Sequence, residues 1–146
     1  MYLSNIDGLS GQLIQFIDLK SFNFDNVKNE CSCIIIPKKG CFNSKKNFDK
    51  GLLIAIIDTF SSYVVKYLCS EEDYRLFLSL RILFTSYQNI NEDIHKKLKL
   101  NVSLDNKADR DIIINIKVLD MNNKILAQIN HLKRKLNKDY FKCSVE

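Results

Sequence analysis

One segment limits the possible architectures more than any other: residues 50–68, KGLLIAIIDTFSSYVVKYL, apolar nearly all the way round. At about 100° per residue, Gly51, Ala55, Asp58, Thr59, Ser62 and Lys66 share one narrow stripe of small and polar side chains. Almost every other position is Leu, Ile, Val, Phe or Tyr. A helix with so wide an apolar surface needs a partner able to cover most of it.

The remaining sequence supplies that partner. In RLFLSLRILF, Leu76, Leu78, Leu80, Ile82 and Phe84 alternate with Arg75, Phe77, Ser79, Arg81 and Leu83. KLKLNVSLD sets Leu98, Leu100, Val102 and Leu104 against Lys97, Lys99, Asn101 and Ser103, and DIIINIKVLD repeats the device with Ile112, Ile114, Ile116 and Val118. NKILAQINHLK follows the turn-like DMNN. Such alternation predicts strands with one buried face, and the short connections predict antiparallel neighbours. Upstream, CSCIIIP predicts a strand ended by Pro37, the only proline, before the polar loop KKGCFNSKKNFDK. Residues 10–20, SGQLIQFIDLK, space Leu13, Phe16 and Ile17 as a short amphipathic helix would. The expected fold class is α+β: a strand, one long helix and an antiparallel meander wrapped around it, a hotdog-like layout. Nothing marks a linker or repeat, so residues 1–146 are expected to form one domain, with 1–30 as an N-terminal helix and lead-in.

Composition narrows the function classes. Twenty-two basic against 17 acidic residues give a net charge of +5, weak for a nucleic-acid protein but suited to an anionic small ligand. The five cysteines are an odd number, and the opening residues lack a basic stretch followed by an apolar one. Reduced thiols in a cytoplasmic protein are therefore expected. Cys31, Cys33 and Cys41 lack paired metal-ligand spacing, so no metal site is expected. Nor is a membrane span, which needs about 20 apolar residues.

Asp58 is the one carboxylate inside the apolar run, and it could face water, pair with a cation or do chemistry. Most helix charges simply face solvent. Here, however, the small-residue stripe would permit close approach by a second chain. The start of the helix at Lys50 and Gly51 would also offer unpaired N–H groups to an anionic oxygen. Asp58 lies roughly 10 Å from that end, so the two could meet on one atom only if a twofold mate reversed its helix alongside. Taken alone, Asn43 reads as a turn residue, Gly51 as a helix-start glycine and His95 as a solvated side chain. His131 alternates with Ile125, Ala127 and Ile129 and reads as packing at a strand end. With no histidine placed near Asp58, a dehydratase using a His and acid pair is disfavoured. The basic HLKRKLNKDYFK reads first as a solvated face, next as a phosphate site through Lys133, Arg134 or Lys135, and last as a nucleic-acid surface.

The run from Asn43 to Lys135, about two-thirds of the chain, resembles the hotdog-fold acyl-CoA thioesterases of the thioesterase superfamily member 2 and phenylacetate-pathway type. That family carries an Asn-x-x-Gly-x-x-His-Gly-Gly loop, a helix with Asp eight residues after the first paired glycine, and a closing strand of the form lvAqg. Here NSKKNFDKGLLIAIID places Asn43, Gly51 and Asp58 at matching spacing, and NKILAQINHLKRK is similar to the closing strand. The departures are Lys46 at the loop glycine, Asp49 at the histidine and Lys50 at the first paired glycine.

The resemblance implies a homodimer or dimer of dimers that hydrolyses acyl-CoA, with coenzyme A as part of the substrate and no separate cofactor. Asn43 would hydrogen-bond the thioester carbonyl. The Lys50 N–H, with Gly51 beside it, would form the oxyanion hole, and Asp58 of the partner subunit would be base or nucleophile. Asp49 would line the substrate site. Phe77 takes the position of a serine that assists water in some members, with Ser79 on the same strand face as its substitute. Lys133 and Arg134 would hold the coenzyme A phosphates. The rival is a non-catalytic hotdog dimer that binds acyl-CoA or a protein partner.

Overall fold

The apolar run folds as one helix, α1 (Lys50–Leu68), and a six-stranded antiparallel sheet packs against it. The structure, a computed structural model, describes residues 13–71 and 77–137. The strands are β1 (Ile17–Asp25), β2 (Glu30–Ile35), β3 (Phe77–Tyr87), β4 (Leu98–Ala108), β5 (Asp111–Leu119) and β6 (Ile125–Lys135). Their order is β1-β2-β4-β5-β6-β3, the hotdog arrangement of one helix held by one sheet.

Alternation decides which faces meet. Leu98, Leu100 and Val102 of β4 and Ile112, Ile114, Ile116 and Val118 of β5 are all buried, as their spacing predicts. They pack under Leu53, Ile56, Ile57, Phe60 and Val64 of α1. By length and composition α1 could cross a membrane, but half of it is buried inside the fold. The stripe of Gly51, Ala55, Asp58, Thr59, Ser62 and Lys66 stays exposed or half-buried, as expected.

Three expectations are corrected. The predicted helix over 10–20 is a short 3-10 turn, Ile14–Phe16, that runs into β1; residues 10–12 lie outside the described ones. β1 hid its alternation because its pairing to β2 jumps from Asp18↔Ile34 to Asn23↔Ser32. Inside that bulge, the Ser21 hydroxyl donates to the Asp18 carbonyl and accepts from the Ile34 N–H. Residues 17–25 of the supposed N-terminal lead-in are therefore an edge strand.

Second, the meander is confined to β4–β6, and β3 lies beyond β6 on the far edge. Residues 88–97 carry the chain from β3 to β4 through a turn in which His95 Nδ1 accepts from the Asn91 N–H at 2.9 Å. His95, expected as a solvated side chain, thus closes a turn.

Third, β3 changes phase. Its ladder to β6 slips between Ser79↔Lys133 and Arg81↔Leu132, leaving Leu80 as the extra residue. Phe77 and Ser79 share a face before the slip, and Ile82 and Phe84 take it up after. Leu78 and Leu80, expected in the core, are 49% and 43% exposed, whereas Phe77 is buried. Leu76 and Arg75 lie outside the described residues.

Candidate active site

The loop before α1 is drawn together by Asn43, whose Oδ1 accepts from the backbone N–H groups of Lys45 and Asn47 at 2.9 and 3.1 Å. Within it Lys46 adopts φ 61°, the left-handed conformation that glycine takes without strain. Its carbonyl accepts from Glu92 N, and its ammonium pairs with Asp93 at 3.0 Å. The loop therefore keeps a glycine-like backbone with a lysine in that place.

Asp49 caps the helix: its Oδ1 accepts from the Leu52 N–H at 2.9 Å. A β-carbon on Gly51 would stand 3.2 Å from that oxygen, so the glycine makes room for the cap. Lys50 and Gly51 are exposed, with Lys50 Nζ 4.6 and 4.8 Å above the rings of Phe84 and Tyr87. The helix end is thus open, but a carboxylate already stands beside it and weakens its pull on a second anion.

Farther along α1 lies a different cluster, and it is hydrogen-bonded throughout. β6 continues its inward face from Ala127 and Ile129 through His131 and Lys133, so two polar residues occupy the last core positions of the strand. His131 Nδ1 meets Ser61 Oγ at 2.8 Å, and its Nε2 meets Ser79 Oγ and stands 3.5 Å from Oδ1 of Asp58. Lys133 Nζ donates to Ser62 Oγ at 2.8 Å, and Ser62 Oγ donates to the same Oδ1 of Asp58 at 3.3 Å. Asp58 is 46% exposed at its side chain, while Lys133 is 1% exposed.

Burial, then the Lys133 charge, pushes the His131 pKa down to about 3. The ring is neutral near neutral pH, so its approach to Asp58 is not an ion pair. The Ser61 hydroxyl also donates to the Asp58 carbonyl at 3.3 Å, which ties the serine beside Nδ1 back to α1. Burial pushes Lys133 down to about 8, and the Asp58 charge partly offsets it.

The structure therefore joins Asp58 to Ser79 and Lys133, and leaves Asn43, Asp49, Lys50 and Gly51 at the helix end. Phe77 is a core residue, with Lys135 Nζ 6.0 Å from its ring centroid. Lys133 and Arg134 point to opposite sides of β6 and do not form one phosphate site. Lys133 is sealed under α1, whereas Arg134 grips Asp111 with two bonds of 2.8 and 3.1 Å. His131 is more than packing, and a histidine does stand beside Asp58. Its ring is wholly buried with both nitrogens engaged, so it cannot serve a substrate directly. Ser62 already stood on the Asp58 stripe; His131 and Ser61, missed as neighbours of Asp58, had one legible signal each, the inward parity of β6 and the i, i+3 spacing.

No protein-family model and no curated protein matches the chain. Solved structures do. AziG of S. sahachiroi superposes with a TM-score of 0.73 at 7% identity, covering 91% of this chain and 99% of that one. Zebrafish thioesterase superfamily member 2 gives 0.71 at 12%, covering 92% and 90%. A mutant form of a thioesterase from Staphylococcus aureus gives 0.65 at 11%, covering 87% and 99%. Over nearly its whole described length, this chain has the hotdog fold found in the latter two, both thioesterases.

Proposed function

We propose that the protein is an acyl-CoA thioesterase working as a homodimer or a larger homo-oligomer. The observation that carries this is Asp58: a half-exposed carboxylate held through Oδ1 by a buried hydrogen-bonded cluster, in a fold shared with thioesterases. Acting as base, the carboxylate takes a proton from water while the water oxygen bonds to the thioester carbon. Negative charge moves to the carbonyl oxygen, where Asn43 and the Lys50 N–H of the other subunit would receive it. Collapse breaks the C–S bond, and the thiolate of coenzyme A leaves with the proton. Direct attack by the carboxylate would use the same geometry. The exposed hydroxyl of Ser79 would orient the water or the thioester oxygen.

A second subunit is part of the proposal because Asn43 lies in the loop before α1, whereas Asp58 lies two turns into the helix. Leu78, Leu80 and Leu83 are also exposed on the edge strand β3 and would be covered by it. Hydrolysis of acyl-CoA esters of graded chain length, followed with a thiol reagent, tests the activity. Sedimentation tests the assembly, which should exceed the 17.0 kDa monomer at micromolar concentration.

A further inference from the structure

The cluster behind Asp58 contains more than a thioester hydrolase of this layout needs. Ser62 and His131 reach the carboxylate and Lys133 stands behind Ser62, so two of the three come from β6, a strand expected only to hold the coenzyme A phosphates. Lys133 is the unusual one, a lysine ammonium kept from solvent under a helix. Its place in the strand, between Ile112 of β5 and Ser79 of β3 in register, would suit an aliphatic residue.

From this geometry we infer that Lys133, through Ser62, and His131 are positioning residues that fix Oδ1 of Asp58 and leave Oδ2 to the reacting atom. The inference rests on the thioesterase reading and deepens it. Both contacts fall on Oδ1, at 3.3 Å from Ser62 and 3.5 Å from His131. The ammonium donates to the Ser62 oxygen, which turns the serine hydrogen toward Asp58. An uncharged Lys133 amine can accept that hydrogen instead, and Oδ1 would then lose the Ser62 donor. The site thus needs Lys133 charged. Among the described residues, the titratable groups that face it are Asp58 from α1 and His131 from its own strand, and the strand neighbours in register are Ser79 of β3 and Ile112 of β5.

The consequence is an alkaline limit on turnover. With Lys133 held down to about 8, kcat should fall as pH rises through that value. Lys133→Met and Ser62→Ala should each lower kcat by about 10- to 100-fold with KM little changed, and both should lose the alkaline limb. Ser62→Thr, which keeps the hydroxyl, should restore most of the rate. A second readout needs no substrate: the Lys133 amine, followed by carbon NMR in lysine-labelled protein and assigned with Lys133→Met, should titrate near 8. In Asp58→Asn it should titrate lower, because the Asp58 charge raises it.

Two results would overturn the inference. One is a Lys133 that titrates as an ordinary lysine, or identically in wild type and Asp58→Asn. The other is a Lys133→Met enzyme with full kcat and the wild-type alkaline limb. If wild type hydrolyses no acyl-CoA, the thioesterase reading fails, and the Lys133 titration alone then decides whether the charged relay exists.

Discussion

Nε2 of His131 stands 3.5 Å from Oδ1 of Asp58, with the imidazole sealed in the core and the carboxylate half open to solvent. Since the ring is neutral, it stands beside Asp58 without neutralising it. The positive charge next to the carboxylate comes from Lys133, one serine away.

Asp58→Asn keeps the shape of the side chain and removes its charge, so hydrolysis should fall by about 100-fold or more with the fold intact. Asn43→Ala should also be impaired. Subunits of the two variants, mixed and reassembled, should regain activity, because each mixed dimer has one site with both residues. Confirmed subunit exchange without recovered activity would show that Asp58 serves its own chain.

Asp49 offers a gain of function. Asp49→Asn retains a side-chain oxygen for the Leu52 N–H but removes the negative charge beside the proposed oxyanion position. Relief of about 1 kcal/mol would raise kcat several-fold. A steady-state assay showing equal or lower kcat in a normally folded variant would separate the helix end from catalysis.

Lys46→Gly should raise stability by about 1 kcal/mol, since Lys46 holds φ 61° in a region that costs a side chain roughly that much. The counter-effect is the greater freedom of glycine in the unfolded chain, so the gain belongs at the low end of that range. Urea melts of the two proteins check this.

The depressed His131 pKa predicts acid sensitivity. Between 6.5 and about 3 the unfolded chain binds a proton that the folded chain refuses. Stability from this group is whole above pH 6.5 and is lost as pH falls toward 3, on the order of 3 kcal/mol by pH 4. That part of the pH slope should vanish in His131→Gln, measured by denaturant melts at pH 7 and pH 4.

Lys133→Met should be more stable than wild type at pH 7, by about 1–4 kcal/mol, because it replaces a buried charge with an apolar side chain of similar length. The excess should shrink as pH rises from about 8 to 10.5, where folding favours the uncharged amine in wild type. A variant that is firmer but slower would mark Lys133 as retained for activity.

The helix and the two central strands could be read in the sequence because Leu98, Leu100, Val102 and Ile112 through Val118 keep an unbroken period against one apolar helix. β1 could not, and β3 was read as a strand but with the wrong face inward at its start, because each contains a bulge that breaks the period. Asp58 was legible as an anomaly in an apolar run. Its companions were not, because His131 and Lys133 meet it through a fold-wide pairing of β6 with α1 that local spacing does not encode. The face each occupies follows from parity. The neighbour each finds there follows from tertiary packing.

The extra residue at Leu80 bears on how this chain can be compared with other chains of the same fold. A strand that absorbs an insertion without losing its ladder lets lineages drift by one position while both faces survive. Ungapped alignment through β3 would then match Phe77 to a relative's serine and pass over Ser79. The equivalences that outlast such indels run sideways across the sheet, from Ile82 to His131 and from Ser79 to Lys133. Descent in this fold is better traced from strand to strand than along the chain.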